Sequence, residues 1–64
     1  MNMIEQLQET HRPLTVRQTA EILGMHEQTI YRWTRNGNIP VLRVGGALRF
    51  DPAALADWLS DRSI

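Results

Sequence analysis

The chain has 64 residues, contains neither cysteine nor lysine, and carries a formal net charge of zero. A chain of this length supports one domain with a small core, because it buries only about 60% of the surface that its unfolded form exposes. The absence of cysteine excludes a disulfide framework and a zinc finger. Apolar runs stay below the roughly 20 residues of a membrane span, and no signal pattern opens the chain. We therefore expect a soluble, cytoplasmic protein with no membrane partner.

Positive charge is concentrated in the middle of the sequence. Residues 12–49 contain six arginines and two glutamates, a local charge of +4, whereas each flanking segment carries −2. Arginine favours planar, bidentate contacts with phosphate and guanine. A genomic composition bias explains the missing lysine equally well, but it does not explain the clustering. The pattern indicates a nucleic-acid surface.

The N-terminal arm, residues 1–13, gives a weak helical signal at Met3, Ile4 and Leu7 before Pro13 stops any helix. Three alternatives stay open for it: a disordered arm, a short docking helix, or a contact with a neighbouring copy. Residues 14–60 are predicted to form the domain, and residues 61–64 a tail.

A first amphipathic helix is predicted to follow Thr15, which forms a T-x-x-Q capping box with Gln18. Its apolar positions have helical spacing: Val16, Thr19, Ala20 and Leu23. Gly24 is expected to end the helix in the left-handed conformation. Met25 is expected to fill the corner before the next helix.

A second helix is predicted from His26 or Glu27 to about Asn36, with Ile30 and Trp33 facing the core. Two helices joined by a glycine turn form a helix-turn-helix, whose second helix fits the DNA major groove.

The opposite side of this second helix is polar. Gln28 and Arg32 are four residues apart and share one exposed stripe. Glutamine pairs with adenine and arginine with guanine, so these two are the strongest candidates for reading bases. Tyr31 can offer its hydroxyl to a phosphate. An ordinary solvated helix face is the alternative explanation.

Residues 41–50 are predicted to form a β-hairpin, for which two registers are open. A two-residue Gly45-Gly46 turn would mix apolar and charged side chains on one face. An odd loop or a bulge would place Arg43 and Arg49 together on one face, where a phosphate bridges them. That register is favoured because the other face then becomes wholly apolar, with Leu42, Val44, Leu48 and Phe50.

A last helix is predicted to begin with Asp51 as N-cap and Pro52 as its first residue. Its apolar stripe consists of Ala54, Leu55, Trp58 and Leu59. We expect this helix to close the core against Trp33 and the hairpin.

Three ordered segments, LTVRQTAEILG, TIYRWTRNGNIP and VLRVGGALRFDPAALADWL, resemble the small winged-helix DNA-binding proteins of the excisionase type, relatives of MerR-type N-terminal domains. The resemblance implies a mainly α-helical winged helix-turn-helix with a small β-hairpin, in a prokaryotic, nucleoid-associated protein. It also implies that the second helix enters the major groove and the wing lies on the backbone or minor groove.

The resemblance and the residue pattern together give the candidate DNA-binding residues: Thr15, Arg17, Glu27, Gln28, Thr29, Tyr31, Arg32, Arg35, Arg43, Gly46 and Arg49. Two positions depart from the family pattern, since Glu27 and Ala47 stand where basic residues are common. Glu27 would repel phosphate unless it accepts a hydrogen bond from cytosine N4.

The expected partner is double-stranded DNA, bound by a monomer, with an integrase or further copies on adjacent sites as additional partners. The expected role is recombination directionality or transcription regulation. A protein-interaction module that reuses the same surface is the alternative. No enzyme, cofactor or metal site is expected, because His11 and His26 lack further ligands at useful spacing.

Overall fold

The computed structural model describes residues 2–62. In this part of the chain, helices and strands follow in the order α1 (Met3–Glu9), α2 (Val16–Leu23), α3 (Glu27–Arg35), β1 (Leu42–Val44), β2 (Ala47–Arg49) and α4 (Pro52–Arg62). The pair α2–α3 is the helix-turn-helix, and the antiparallel hairpin β1–β2 is the wing. The predicted fold class, a winged helix-turn-helix, is confirmed.

Helix α2 has the predicted ends and the predicted buried side. Thr15 Oγ1 accepts from the backbone N–H of Gln18 at 3.1 Å, and Gln18 Oε1 accepts from the backbone N–H of Thr15 at 3.0 Å. Gly24 ends the helix with φ 68°, a conformation that glycine adopts without strain. The buried side consists of Val16, Thr19, Ala20 and Leu23.

The turn between α2 and α3 corrects the expectation for Met25, whose side chain is 38% exposed. The backbone N–H of Met25 donates to Ala20 O at 2.9 Å, and that of Gly24 donates to Glu21 O at 3.3 Å. This pair of bonds is a Schellman motif. Because backbone bonds hold the corner, no apolar side chain is required to fill it.

Helix α3 buries one side only. Ile30 is fully buried, Thr34 is 8% exposed, and Trp33 packs partly buried against the core. The hydroxyl of Thr34 donates to Tyr31 O at 2.7 Å, so burial leaves it paired. The helix ends at Arg35, next to its predicted end.

The register of the wing contradicts the favoured prediction. A two-residue turn, Gly45-Gly46, joins the strands, and the paired residues are Leu42 with Arg49, Arg43 with Leu48, and Val44 with Ala47. Both glycines have positive φ, 56° and 86°. Positive φ at both positions defines a type I′ turn, whose twist matches that of the two strands. The geometry of the turn therefore determines the register, although this register leaves neither face of the hairpin uniformly apolar.

This register separates the two arginines of the wing. Arg43 and Arg49 lie on opposite faces of the hairpin, because side chains alternate along a strand. The predicted phosphate bridge between them is therefore wrong. The four-residue apolar face is wrong as well: Leu48 and Phe50 pack with the core, whereas Leu42 is 50% and Val44 is 60% exposed.

Helix α4 begins as predicted, with Asp51 Oδ1 accepting from the backbone N–H of Ala53 at 3.3 Å. Its buried residues are Pro52, Leu55 and Ala56. Trp58 meets Trp33 of α3, which confirms the expected contact with Trp33, but the main packing partner of α4 is α1 and not the hairpin. The helix continues to Arg62, and residues 63 and 64 of the predicted tail lie outside the described residues.

The N-terminal segment forms a short helix that docks on the domain. Leu7 of α1 is fully buried, and α1 packs mainly against α4. After it, Leu14 and Phe50 exchange two backbone hydrogen bonds of 2.8 Å each. These bonds tie the start of the helix-turn-helix to the wing. The docking helix is thus the alternative found for Met3–Glu9.

Candidate nucleic-acid interface

The exposed side of α3 is open and polar. A shallow depression of about 400 Å³ lies along it, lined by Gln28, Tyr31, Arg32 and Arg35. The opposite side of the helix carries Ile30 and Thr34, both buried. Core packing therefore fixes the rotation of α3 and presents these four side chains to solvent.

A second depression of about 410 Å³ lies where α2, α3 and the wing meet. It is lined by Thr15, Val16, Arg17, Glu27, Tyr31, Gly46, Ala47, Leu48 and Arg49. Tyr31, which is 43% exposed, lines both depressions and joins them. We call the combined area the α3–wing surface; its polar residues and its glycine are Thr15, Arg17, Glu27, Gln28, Tyr31, Arg32, Arg35, Gly46 and Arg49.

Two arginines of the α3–wing surface already have partners. Arg17 Nε lies 3.3 Å from Glu21 Oε1, and both side chains are largely exposed, at 79% and 67%. An exposed pair of this kind is worth only about 0–1 kcal/mol, so a phosphate can replace Glu21. Arg49 Nη1 donates to the backbone oxygen of Leu48 at 2.7 Å, which holds its guanidinium beside the wing.

The other two arginines of the surface are unpaired. Within residues 2–62, neither Arg32 nor Arg35 forms a side-chain hydrogen bond or ion pair. Both stand in the last turn of α3, where the helix dipole favours positive charge. Their guanidinium groups are therefore free to bind an anion.

Two predicted site residues lie outside the α3–wing surface. Thr29 is half-buried and lines neither depression. Arg43 is exposed on the opposite face of the wing from Arg49. The register pairs Arg43 with Leu48, whereas the predicted register placed it beside Arg49.

Sequence reasoning missed one contact of this surface, the ion pair between Arg17 and Glu21. Its signal is in the sequence, because opposite charges four residues apart face each other on a helix.

Within the described residues there is no group of three or more His, Asp or Glu side chains suited to hold a metal ion. None of the helices in residues 2–62 is long and apolar enough to cross a bilayer.

The geometry agrees with a family comparison. Residues 13–63 match the model of a family described as "Helix-turn-helix domain". The chain belongs to this helix-turn-helix family. The matched range contains α2, α3, the wing and α4, so the family covers every element of the α3–wing surface.

Curated relatives of this helix-turn-helix chain occur in Mycobacterium tuberculosis. It is 37% identical over 46 residues to "Putative DNA-binding protein MT0521" of strain CDC 1551 and, equally, to "Putative DNA-binding protein Rv0500A" of strain H37Rv. The alignment covers 72% of this chain and 59% of each relative. No solved structure gives a significant match to the chain.

Proposed function

We propose that the chain binds double-stranded DNA through the α3–wing surface, with α3 in the major groove. The observation that carries the proposal is the placement of Gln28, Arg32 and Arg35 along one open side of α3. A helix about 10–12 Å wide fits the major groove, which is about 12 Å wide. Family membership and the names of the two mycobacterial relatives support the same function.

The roles follow from side-chain chemistry. Gln28 and Arg32 point away from the core at one helical spacing and read bases, glutamine at adenine and arginine at guanine. Arg35, Arg17 and Arg49 bind phosphates on either side of the groove, and Arg17 exchanges Glu21 for a phosphate oxygen.

Weaker contacts complete the interface. Tyr31 and Thr15 offer hydroxyl groups to the backbone of the duplex. Gly46 at the tip of the wing offers a backbone N–H. Thr29 and Arg43, also predicted from the sequence, lie beside this footprint and take no central role.

The biological role we propose is that of an excisionase-type architectural protein or a small transcription regulator. Both would use the same surface, and neither requires a catalytic step or a cofactor. Transcription regulators can bend DNA as strongly as architectural proteins do, so dependence on an integrase, and not bending, separates the two roles. Stimulation of excision by an integrase would favour the excisionase-type role, with the integrase as further partner; no effect on an integrase would favour the regulator.

The test is selection of bound duplexes from a random pool, followed by titration of the selected sequence. The wild-type chain should retain a defined sequence. Arg32→Ala should weaken that complex by about 1–3 kcal/mol and relax the preference at one base pair. A chain that retains no duplex, but binds a protein partner independently of salt, would contradict the proposal and support an interaction module.

A further inference from the structure

Glu27 is an acidic residue within the surface proposed to bind a polyanion. It is the first residue of α3 and is exposed. It lines the same depression as Arg17, Tyr31 and Arg49. The first residues of a recognition helix are the ones that reach base edges in the major groove. Glu27 therefore stands at the place where bases are read.

The carboxylate of Glu27 has no partner in the protein, although two arginines line the same depression. Arg17 pairs with Glu21 of its own helix, and Arg49 bonds the Leu48 carbonyl. Within residues 2–62, the Glu27 side chain forms no hydrogen bond or ion pair. Its oxygens are therefore free to accept hydrogen bonds from a ligand.

The chemistry of the duplex restricts that ligand. A carboxylate repels phosphate and the acceptor groups of guanine and thymine, so only amino groups satisfy it in the major groove. Cytosine N4 presents such a donor, whereas adenine N6 stands beside the acceptor N7. We infer that Glu27 reads a cytosine and excludes other bases at that position. This inference rests on the proposed DNA binding.

Glu27 also stabilises α3, because a negative charge is favourable at a helix N-terminus. A residue with only that role would leave base preference unchanged when it is replaced. The two roles therefore give different results in a binding selection, whatever their effect on stability.

The experiment compares selections from a random duplex pool with the wild type, Glu27→Ala, Glu27→Gln and Glu21→Gln. Glu21→Gln is the matched control, since it removes the same charge from a neighbouring position outside the groove. The wild type should prefer cytosine about tenfold at one position. Glu27→Ala should relax that position, and Glu27→Gln should shift it towards adenine, which glutamine reads.

The control should bind all duplexes more tightly and keep the cytosine preference. A cytosine preference that survives both Glu27 variants would overturn the inference while leaving DNA binding intact. So would the absence of a preferred cytosine in the wild-type selection. Failure of the wild type to retain any duplex would instead overturn the proposed function, and this inference with it. Circular dichroism of each variant verifies that the total helical content is unchanged.

Discussion

The indole rings of Trp33 and Trp58 meet edge to face, with ring centroids 5.8 Å apart and ring planes inclined by 61°. Trp33 belongs to α3 and Trp58 to α4, so this contact joins the proposed recognition helix to the C-terminal helix. Arg62 extends the stack, since its guanidinium lies 4.7 Å from the centroid of the Trp58 ring. Arg62 Nη2 also donates to Asn38 O at 3.5 Å, in the loop that follows α3. One side of α3 is thereby held while its other side faces solvent.

Replacing Trp58 by alanine should destabilise the domain strongly. Loss of a large aromatic side chain from a packed site costs about 3 kcal/mol. The total stability of such a domain is only about 0.05–0.15 kcal/mol per residue. The melting temperature measured by circular dichroism should fall by at least about 10 °C. Trp58→Phe keeps an aromatic ring against Trp33 and should lose much less. Equal melting temperatures for wild type and Trp58→Ala would show that the contact between Trp33 and Trp58 does not stabilise the domain.

The two buried threonines should respond oppositely to replacement by valine. Within the described residues, Thr19 Oγ1 is buried without a hydrogen-bond partner, and such a group costs about 1–3 kcal/mol. Thr19→Val should therefore raise the midpoint of urea unfolding. Thr34 Oγ1 donates to Tyr31 O at 2.7 Å. Thr34→Val should therefore lower the midpoint, because the free energy of unfolding falls by about 0.5–1.5 kcal/mol. Shifts of the same sign in both variants would contradict the assigned hydroxyl environments.

Substitutions at the two glycines of the wing turn should differ in their cost to the stability of the domain. Gly46 has φ 86°, and an added Cβ would meet no atom within 4 Å. The cost of Gly46→Ala therefore comes from the backbone, about 1–2 kcal/mol. Gly45→Asn creates the Asn-Gly pair that type I′ turns prefer and should be nearly neutral in denaturant unfolding.

The wing register can be measured independently of stability. Arg43 and Leu48 are paired across the strands, at the position where a two-residue hairpin brings α-carbons closest, about 4.5 Å. Proton NMR should show a strong contact between their α-protons. A strong contact between Arg43 and Arg49 instead would restore the register with an odd loop.

Opposite placement of Arg43 and Arg49 predicts unequal effects on DNA binding. Arg49 lines the α3–wing surface, so Arg49→Ala should weaken duplex binding several-fold and make the salt dependence less steep by about one unit. Arg43→Ala removes the same charge from the other face of the wing and should change affinity by less than about twofold. Fluorescence anisotropy at several salt concentrations provides both quantities.

Local signals predicted most of the fold. The capping box at Thr15, the positive φ of Gly24 and the Asp51-Pro52 helix start depend on a few neighbouring residues, and the sequence specifies them directly. The buried face of α2 and the position of Ile30 in α3 follow from helical periodicity in the same way, whereas the burial of Thr34 was not predicted.

The wing register was not predictable from apolar patterning, because a type I′ turn overrode it. The uniform apolar face would have required burying Leu42 and Val44, but a two-stranded wing leaves one face to solvent. The position of Arg43 was mistaken for the same reason. Met25 was misplaced because backbone hydrogen bonds of the turn do not appear in side-chain periodicity.

If DNA binds the α3–wing surface and not the protein at large, affinity must depend on where positive charge is removed. Anisotropy titration of a selected duplex with two charge-matched double variants measures this dependence. Arg32→Ala with Arg35→Ala removes the two unpaired cations of α3, whereas Arg12→Ala with Arg43→Ala removes two exposed cations that line neither depression. The first pair should weaken binding more than tenfold and flatten the log–log salt slope, about −3 in the wild type for three phosphate contacts, by about one, because only Arg35 of this pair contacts a phosphate; the second should stay within about twofold. Equal losses for the two pairs would show that the α3–wing surface is not the DNA-binding site.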